Sequence, residues 1–412
     1  MKASFPVHYF FVDSSSAMTI EIKEIFKVLK TCDDTKARLG ELATLHGVVS
    51  TPVFLPVGSQ GTVKTLTPEE LQAIGVTMIL GNTYHLYLRP GIDVIEKMGG
   101  LHKYMAWPGP ILTDSGGYQV FSLSPLCKIN EDGVVFRSHI DGSEHSFSPE
   151  TAIEFQERLG VDVMMVLDEC TSVGEKKMKV HEAMLRTHRW AERCLKKHGN
   201  QKQHLFAIVQ GGIFPELRRQ SAEILTAMDF PGYAIGGLSL GEAKEVTWQI
   251  VETTTEKLPH NKPRYLMGVG SPEDIIEGVS RGIDIFDCAL PTRVARNGAL
   301  FTRGGRQNID KAIFKTKEGP FDDSCDCYTC QTFSAAYLHH LFKCGELLAY
   351  RLATIHNLRF ITRLMQGIRS AIQSGTFLDF KKDFMTRYQT TNESARIAQK
   401  QKWLNAQRNN SD

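Results

Sequence analysis

The sequence predicts an α/β protein built on a (β/α)8 barrel, and three observations support that prediction. The chain has 412 residues, 42% of them hydrophobic and 23% charged, which is ordinary for a globular enzyme with one large domain. Segments with helix-start residues or amphipathic spacing alternate with short apolar runs, and this alternation of helices and strands is typical of a parallel sheet. There are eight such runs, which fits a closed barrel better than an open doubly wound sheet. We predict the strands at 51–57, 77–81, 110–113, 162–167, 204–209, 232–235, 264–267 and 283–286.

Charge and cysteine content narrow the class of protein. The net charge is only +2, so any surface that binds nucleic acid must be local. Three of the nine cysteines are bunched, which indicates metal binding and a reducing cytoplasm rather than a disulfide framework. No apolar run reaches the ~18 residues of a membrane helix, and the apolar run near the N-terminus is too short for a signal peptide. We expect residues 1–20 to form a poorly ordered tail, in which Met18 could be the true start.

Three segments share one helix-to-strand pattern. They begin at Thr67, Ser148 and Ser271, each of which is followed by proline and an acidic residue. Ser and Thr cap helices, proline suits the first helical position, and acidic side chains complement the helix dipole. A glycine able to take the left-handed conformation then ends each helix, and an apolar run follows. These glycines are Gly75, Gly160 and Gly282. Amphipathic segments at 173–198, 214–228 and 242–257 are further predicted helices.

Polar residues and glycines follow every predicted strand. In a (β/α)8 barrel these strand ends gather on one face, where such enzymes carry their chemistry. Glycine lets the backbone approach a flat ligand, and Asp, Asn and Gln supply directional hydrogen bonds. The sequence therefore predicts a hydrogen-bonding pocket there. The strand ends are Gly58 to Gly61, Asn82 to His85, Asp114 to Tyr118, Asp168 to Cys170, Gln210 to Gly212, Gly236 to Leu238, Gly268 to Gly270, and Asp287.

The last strand end combines a carboxylate with basic residues. Asp287 is followed by a predicted loop, interrupted by Pro291, that carries Arg293 and Arg296. From 293 to 317 there are seven Lys or Arg and one acid, so this tract could contact several phosphates. The alternatives are a surface Asp that caps a turn and a solvated basic loop.

A cysteine cluster predicts a structural metal site. Cys325, Cys327 and Cys330 bring three thiolates within about one turn of each other, and a fourth ligand would complete the tetrahedron of Zn²⁺. His356 is the favoured fourth ligand. With four protein ligands, one Zn²⁺ per subunit would be structural rather than catalytic. The competing fourth ligands are His339, His340 and Cys344, and the other alternative is reduced cysteines without metal. The predicted domains are the barrel at 21–320, a small inserted zinc-binding subdomain at 321–366, and a helical region with a polar tail at 367–412.

Six motifs occur along the chain in a set order. They are Asp114-Ser-Gly-Gly-Tyr-Gln119, Asp168-Glu-Cys170, Gln210-Gly-Gly212, Gly236-Gly-Leu238, Phe286-Asp-Cys-Ala-Leu-Pro-Thr-Arg293 and the cysteine cluster. Together they resemble the tRNA-guanine transglycosylase family, and its bacterial queuosine-pathway members in particular. The resemblance runs from near residue 20 to residue 390, and the chain ends too soon for the extra RNA-binding domains of archaeal members.

The resemblance implies a pentosyltransferase reaction. Guanine at the wobble position of GUN-anticodon tRNAs (those for Asp, Asn, His and Tyr) is exchanged for the 7-deazaguanine base preQ1 in queuosine biosynthesis. Retention of configuration implies two displacements through a covalent enzyme–RNA intermediate. The resemblance makes Asp287 the nucleophile and Asp114 the general acid/base, and it implies a cytoplasmic homodimer without membrane contact.

The resemblance also implies the residues that bind the base. Asp168 accepts from its N–H groups, Gln210 and the Gly237 backbone hold its carbonyl, and Tyr118 stacks on it opposite Met267. The alternative role for Asp168 is a helix cap, and the alternative for Tyr118 and Met267 is packing in the core. The implied set is Asp114, Ser115, Gly116, Gly117, Tyr118, Asp168, Cys170, Gln210, Gly236, Gly237, Leu238, Glu242 and Met267.

A second implied set binds RNA. Residues 292–296 would read the uridines beside the extruded base, His85 would line the ribose pocket, and 268–274 would lie along the RNA. The implied residues are His85, Gly268, Val269, Gly270, Ser271, Pro272, Glu273, Asp274, Thr292, Arg293, Val294, Ala295 and Arg296.

Two positions bear on the incoming base. Family members that insert preQ1 have cysteine at the counterpart of Cys170 and valine at that of Leu240, whereas those that use queuine have a smaller residue at the latter. Leu240 is bulky, and Glu242 beside the Leu238 carbonyl could meet an ammonium group. We therefore predict preQ1, with queuine as the alternative.

Two alternative functions belong to other classes. The first is a barrel metallohydrolase with zinc in its active site, although the strand ends are poor in histidine. The second is a tRNA-binding subunit without chemistry, although both Asp114 and Asp287 are present.

Overall fold

The computed structural model of the chain describes residues 24–123 and 127–390, with backbone alone at 121–123. The predicted tail at 1–20, including Met18, and the polar tail after Asn392 lie outside the described residues. The strands are β1 (Phe26–Thr31), β2 (Arg38–Thr44), β3 (Gly47–Thr51), β4 (Val53–Leu55), β5 (Val57–Gly58), β6 (Ile79–Asn82), β7 (Ile111–Asp114), β8 (Lys128–Ile129), β9 (Val134–Arg137), β10 (Glu144–Phe147), β11 (Val163–Met165), β12 (His204–Val209), β13 (Gly232–Ile235), β14 (Arg264–Leu266), β15 (Ile285–Asp287), β16 (Ala299–Thr302) and β17 (Gly305–Asn308).

Parallel strands form a barrel at the centre of the described chain. Its order is β4-β15-β14-β13-β12-β11-β7-β6-β5. Pro56 alone separates β4 from β5, so these two strands occupy one barrel position and close the ring from β15 to β6. The predicted barrel and its eight strand positions are therefore confirmed. All strands point the same way, so their carboxyl ends share one face.

Helices surround the barrel and extend it at the C-terminal side. They are α1 (Pro68–Ala73), α2 (Thr83–Leu88), α3 (Ile92–Lys97), α4 (Leu101–Met105), α5 (Gly117–Leu123), α6 (Pro149–Leu159), α7 (Lys177–Lys197), α8 (Pro215–Ala227), α9 (Lys244–Thr255), α10 (Pro272–Ser280), α11 (Leu290–Arg296), α12 (Tyr328–Thr332), α13 (Ala335–Cys344), α14 (Leu347–Ser374) and α15 (Phe377–Arg387), with a short 3-10 helix at Ala312–Phe314. Among the described residues, no helix combines the length and the apolar character that crossing a bilayer needs.

The three predicted helix-to-strand units are confirmed by their caps. The side chains of Thr67, Ser148 and Ser271 accept hydrogen bonds from backbone N–H groups in the first turns of α1, α6 and α10. Glycine follows each helix with a positive φ, which residues with a side chain rarely adopt. These angles are 85° at Gly75, 71° at Gly160 and 85° at Gly282.

The loop expected after Asp287 is instead the helix α11. Pro291 lies in its first turn, where the missing N–H costs no hydrogen bond, so this proline begins a helix rather than interrupting a loop. Arg293 and Arg296 lie in the last turn of α11, where cations complement the helix dipole.

Three smaller sheets and the long helix α14 complete the described structure. β1-β2-β3 and β8-β9-β10 are antiparallel sheets, and β16 and β17 form a hairpin after α11. The helix α14 packs on α11, α12 and β16. The expected boundary at 366/367 falls inside α14, so the division into domains stays a prediction.

Candidate active site and metal centre

The carboxyl ends of β7 and β15 carry the two candidate catalytic residues. Asp114 is the last residue of β7, and Asp287 is the last residue of β15. Each residue is 9% exposed. The negative charge of Asp287 is one of the causes that raise the pKa of Asp114, so the two carboxyl groups interact across the barrel mouth.

Asp114 lies in a setting that favours its protonated form. Burial is the largest cause that raises the pKa of Asp114, and the charge of Asp287 adds to the rise. Hydrogen bonds from the N–H groups of Thr83 and Gly116 lower the pKa, and the net result is a pKa of about 8. Asn82 Nδ2 donates to Oδ2 over 2.6 Å, and the backbone N–H of Thr83 donates to Oδ1 over 3.1 Å. At neutral pH Asp114 therefore mostly carries a proton that it can give up.

Asp287 has its own pair of donors. The Tyr265 hydroxyl donates over 2.6 Å and the Gly268 backbone N–H over 2.8 Å, and both reach Oδ1. Burial raises the pKa of Asp287, and these two hydrogen bonds oppose the rise. Burial and the charge of Asp287 raise the pKa of Tyr265 well above its usual value, so its hydroxyl stays a donor. The arrangement orients one oxygen of Asp287 and leaves Oδ2 without a hydrogen bond from the described residues.

Asp168 and Gln210 form a buried polar wall on the same face of the barrel. Gln210 Nε2 donates to Asp168 Oδ2 over 2.7 Å, and both side chains are buried. Burial raises the pKa of Asp168 to about 6, against the hydrogen bond from Gln210. A Cβ on Gly117 would lie 2.7 Å from the Asp168 carbonyl oxygen, and one on Gly237 would lie 2.5 Å from Gln210 Oε1. Only glycine therefore fits at these two places without a shift in the wall.

The other residues expected to bind the base differ in exposure. Cys170 is buried, and that burial raises the pKa of its thiol. Tyr118 is 36% exposed, and Met267 is partly buried against the core. Ser115 is buried, and its hydroxyl accepts from the Gly117 N–H over 3.4 Å. Gly116, Gly236 and Leu238 are also buried.

Glu242 is held by its own loop. Backbone N–H groups of Ser239, Leu240 and Gly241 donate to its carboxylate, the last two over 2.9 and 3.1 Å. The Thr247 hydroxyl donates over 2.7 Å. The expected contact with an ammonium group stays a prediction, and such a group would have to join these donors around a buried carboxylate.

The residues expected to bind RNA are unevenly exposed. In α11, Arg293 is exposed, Arg296 is half-buried and donates to the Thr292 carbonyl over 2.9 Å, and Val294 and Ala295 are buried.

In the segment 268–274, Gly268 alone is exposed. Lys244 forms ion pairs with Glu273 and Asp274 over 3.3 and 2.7 Å, and Ser271 caps α10. Val269, Gly270 and Pro272 are buried. The backbone around Gly268 is therefore the accessible part of this segment.

His85 lies half-buried in α2. Burial, followed by nearby His139 and Lys64, lowers the pKa of His85 to about 4, so this ring is neutral at pH 7. A neutral imidazole is compatible with a ribose pocket, and this role stays a prediction.

Tyr265 and Thr83 were not among the residues predicted from sequence. Tyr265 lies inside the apolar run of β14, where the sequence gives no sign that it is polar in function. The available signal was its position two residues before Met267, because residues two apart on a strand point to the same face. Thr83 stands within a predicted strand end, but its contribution is a backbone N–H that no side-chain pattern reveals.

Cys325, Cys327, Cys330 and His356 come together as a buried group. Their ligand atoms all lie within 4.8 Å of one another, so the group could hold a metal ion. His356 Nδ1 lies 3.3 Å from Cys330 Sγ and 3.7 Å from Cys327 Sγ. His356 Nε2 donates to the Phe301 carbonyl over 2.7 Å, which leaves the Nδ1 lone pair for a metal. This donor set and its burial fit structural Zn²⁺.

The competing fourth ligands lie elsewhere. His339 Nδ1 contacts the Ile309 carbonyl over 2.7 Å, while His340 and Cys344 contact each other on the exposed side of α13. His356 was thus the better choice among the four candidates.

Another group, His46, His102 and Asp162, also meets the distance requirement for a metal ion. Asp162 directly precedes β11, so this group lies at the opposite end of the barrel from Asp114. Among the described residues, neither group of possible ligands includes a residue from the carboxyl ends of the barrel strands. This distribution counts against the alternative of a barrel metallohydrolase.

Comparisons with known proteins agree with the geometry. The family model described as queuine tRNA-ribosyltransferase matches residues 32–390. A protein of that name from Dehalococcoides mccartyi is 63% identical over 379 residues, which cover 92% of this chain and 97% of the relative. Proteins of the same name from a Thermoanaerobacter species and from Herpetosiphon aurantiacus are 58% and 55% identical, over 88% and 92% of this chain and 97% of each relative. The chain belongs to the queuine tRNA-ribosyltransferase family and is a tRNA-guanine transglycosylase of the bacterial type.

Proposed function

We propose that the enzyme exchanges guanine at the wobble position of GUN-anticodon tRNAs for preQ1, through a covalent bond between Asp287 and the ribose. One observation carries this proposal: two buried carboxyl groups, Asp114 and Asp287, interact across the barrel mouth. Two interacting carboxyl groups cannot both ionise easily, and this favours one acid and one nucleophile.

In the first displacement, Asp287 attacks the anomeric carbon of the ribose. Oδ1 is fixed by Tyr265 and Gly268, so Oδ2 forms the new C–O bond as the C–N bond to guanine breaks. Asp114 gives its proton to the departing base, which would otherwise leave as an anion with the electron pair of the C–N bond. The result is an ester between Asp287 and the RNA, with neutral guanine in the pocket.

In the second displacement, the incoming base replaces Asp287. Asp114, now ionised, takes the N9 proton as that nitrogen attacks the anomeric carbon, and Asp287 leaves as a carboxylate. Both residues return to their starting protonation states. Two inversions at one carbon retain the configuration.

The Asp168–Gln210 wall is the proposed recognition site for the base. Asp168 accepts from the ring N–H and the exocyclic amine, which guanine and 7-deazaguanines share. Gln210 and the Gly237 N–H hold the carbonyl. Tyr118 and Met267 are proposed to cover the two faces of the ring.

We propose preQ1 as the incoming base because its aminomethyl group is both positively charged and small. Cys170 and Leu240 are proposed to limit the space next to Leu238, and Glu242 supplies the only carboxylate of the 236–242 segment. An ammonium group placed there would meet a buried anion that backbone N–H groups now stabilise.

We further propose that one structural Zn²⁺ per subunit is held by Cys325, Cys327, Cys330 and His356. The anticodon loop is proposed to contact α11. The enzyme is proposed to act as a homodimer in the cytoplasm, where its tRNA substrate is found. Bound Zn²⁺ would join the 325–330 loop to α14 without taking part in the reaction.

The test is guanine exchange with Asp287→Asn, which keeps the shape of the side chain but removes the nucleophile. We expect a loss of at least about 10³-fold in rate, and no RNA–protein adduct in a denaturing gel, because the covalent step is lost. Asp379→Asn, the same change on an exposed carboxylate of α15, should keep full activity. Full exchange by Asp287→Asn would overturn the covalent mechanism.

The same assay compares incoming bases on the wild-type enzyme. We expect preQ1 to replace guanine with a higher kcat/KM than queuine. A preference for queuine would overturn the assignment of preQ1 and leave the covalent mechanism intact.

A further inference from the structure

A buried arginine stands directly behind the Asp168–Gln210 wall. Arg218 lies in the first turn of α8 and is 0% exposed. Among the described residues it has no carboxylate within ion-pair distance, and its Nη2 has no hydrogen-bond partner. Burial lowers the pKa of Arg218 to about 10, so it remains charged at neutral pH. A buried charge without a salt-bridge partner is costly, which calls for a compensating role.

The contacts that Arg218 does make are on either side of Gln210. Its Nη1 donates to the Val209 carbonyl over 2.7 Å, and its Nε donates to the Gly212 carbonyl over 2.8 Å. A third contact from the same helix reaches Gln210 itself, since the Gln210 N–H donates to Ser221 Oγ over 3.3 Å. Ser221 is also buried and bonds to His188 Nε2 over 2.8 Å, which ties the helix α8 to α7.

The backbone after Gln210 needs such support. Gly211 and Gly212 have φ angles of 140° and 56°, and two successive glycines restrict the backbone little. A Cβ on Gly211 would lie 2.9 Å from the backbone nitrogen of Arg218, so the segment rests directly on α8. The backbone that carries the Gln210 side chain is therefore held by α8.

We propose that Arg218 is a positioning residue for base recognition: it holds the carbonyl groups on both sides of Gln210, which keeps the Gln210 amide aimed at Asp168 and at the base. This inference rests on the proposed role of Asp168 and Gln210 as the base-binding wall. The Glu242 carboxylate favours the charge of Arg218, so the buried cation also lies near a group that is proposed to meet the incoming base.

The test measures KM for guanine and for tRNA separately. Arg218→Met keeps much of the side-chain volume but removes both donors. We expect KM for guanine to rise about tenfold, as for one weakened hydrogen bond, while KM for tRNA changes by less than about twofold. Arg218→Lys retains the charge and one possible donor, so it should recover part of the loss. Arg219→Met, on the exposed side of the same turn, is the matched control and should behave as wild type.

A double-mutant cycle with Gln210→Ala separates positioning from general damage. If Arg218 acts through Gln210, then Arg218→Met should raise KM for guanine in wild type but not in the Gln210→Ala background. Equal effects in both backgrounds would overturn the proposal. If Arg218→Met fails to fold, Arg218→Lys takes its place in the cycle, because it keeps the buried charge but cannot hold both carbonyl groups; an unchanged KM for guanine in that variant would also overturn the proposal.

The cycle also distinguishes this inference from the proposed function. If Gln210→Ala leaves KM for guanine unchanged, the base-binding wall itself is wrongly assigned. If Gln210→Ala raises that KM but Arg218→Met and Arg218→Lys do not, only the role of Arg218 is refuted.

Discussion

Asp114 and Asp287 have identical side chains, but their surroundings differ. Asp287 receives hydrogen bonds from Tyr265 and Gly268, which stabilise its anion against the cost of burial. Asp114 is buried beside that anion, so it is the group that keeps the proton. A buried pair of this kind favours the proposed division into a nucleophile and an acid.

The raised pKa of Asp114 predicts a specific dependence of stability on pH. The ordinary value of 3.8 rises to about 8 in the folded protein. Between these values the folded state keeps a proton that the unfolded chain has released, so this group's contribution to stability falls as pH rises from about 4 to about 8. Asp114→Asn does not titrate. We therefore expect its melting temperature, relative to wild type, to rise between pH 5 and pH 8.

Thermal unfolding at a series of pH values measures this difference. The control Asp379→Asn, at an exposed carboxylate, should track wild type throughout. A constant difference between Asp114→Asn and wild type would mean that Asp114 is already ionised at neutral pH, and that it cannot serve as the acid.

Sequence reasoning found the titratable residues of the site but not the groups that tune them. Asp114, Asp168 and Asp287 each follow an apolar run, so a strand-end rule was sufficient. Tyr265 looked like one more apolar strand residue, and the N–H groups of Thr83 and Gly268 have no signature in sequence. The carboxylates could be predicted from sequence. Their pKa shifts could not, because these shifts depend on contacts between strands that are far apart in the sequence.

At the scale of elements, α14 links the proposed metal site (Cys325, Cys327, Cys330 and His356) to the barrel. His356 lies in the middle of this helix, and Asn357 beside it donates to the carbonyls of Pro291 and Ala299 over 3.0 Å each. Pro291 belongs to α11, so the helix that carries His356 also fixes the helix that follows Asp287. If the proposed Zn²⁺ is bound there, its loss should therefore disturb α11 as well as the 325–330 loop.

Removal of one thiolate tests the metal site. We expect Cys327→Ser to lose Zn²⁺ and to destabilise the fold by ~3 kcal/mol or more, because a structural metal contributes its binding energy to folding. Metal content by atomic absorption and thermal unfolding measure the two effects. Cys344→Ser, on the exposed side of α13, is the matched control and should retain both metal and stability. Full Zn²⁺ content in Cys327→Ser would refute the assigned ligands.

Local signals explain which elements could be predicted. Thr67, Ser148 and Ser271 marked their helix starts correctly because capping involves only neighbouring residues. The segment after Asp287 was predicted as a loop because proline was interpreted as an interruption, although it lies in a first turn. The helix α14 begins at Leu347, well before the helical region that was predicted at 367–412. Its start depends on packing against α11 and β16, which no local pattern encodes.

At the scale of the molecule, barrel closure explains how residues far apart in sequence form one site. Asp114 and Asp287 lie 173 positions apart (287 − 114) and meet because β7 and β15 point the same way around one ring. The order of the strands was predictable from their number and alternation. The overall charge gave no indication of an RNA surface, since a net charge of +2 averages over the whole chain.

The local concentration of charge predicts a salt dependence that the net charge does not. Four of the seven basic residues between 293 and 317 are exposed: Arg293, Arg303, Lys311 and Lys315. If they contact phosphates, binding of tRNA releases counterions, and removing one contact should reduce the slope of log KM for tRNA against log salt by roughly one unit. We expect this change for Arg293→Ala. Lys202→Ala, in the turn before β12 at the opposite end of the barrel, should leave the slope unchanged. Parallel slopes for wild type and Arg293→Ala would place the RNA elsewhere, because a phosphate contact cannot be lost without a change in the number of released ions.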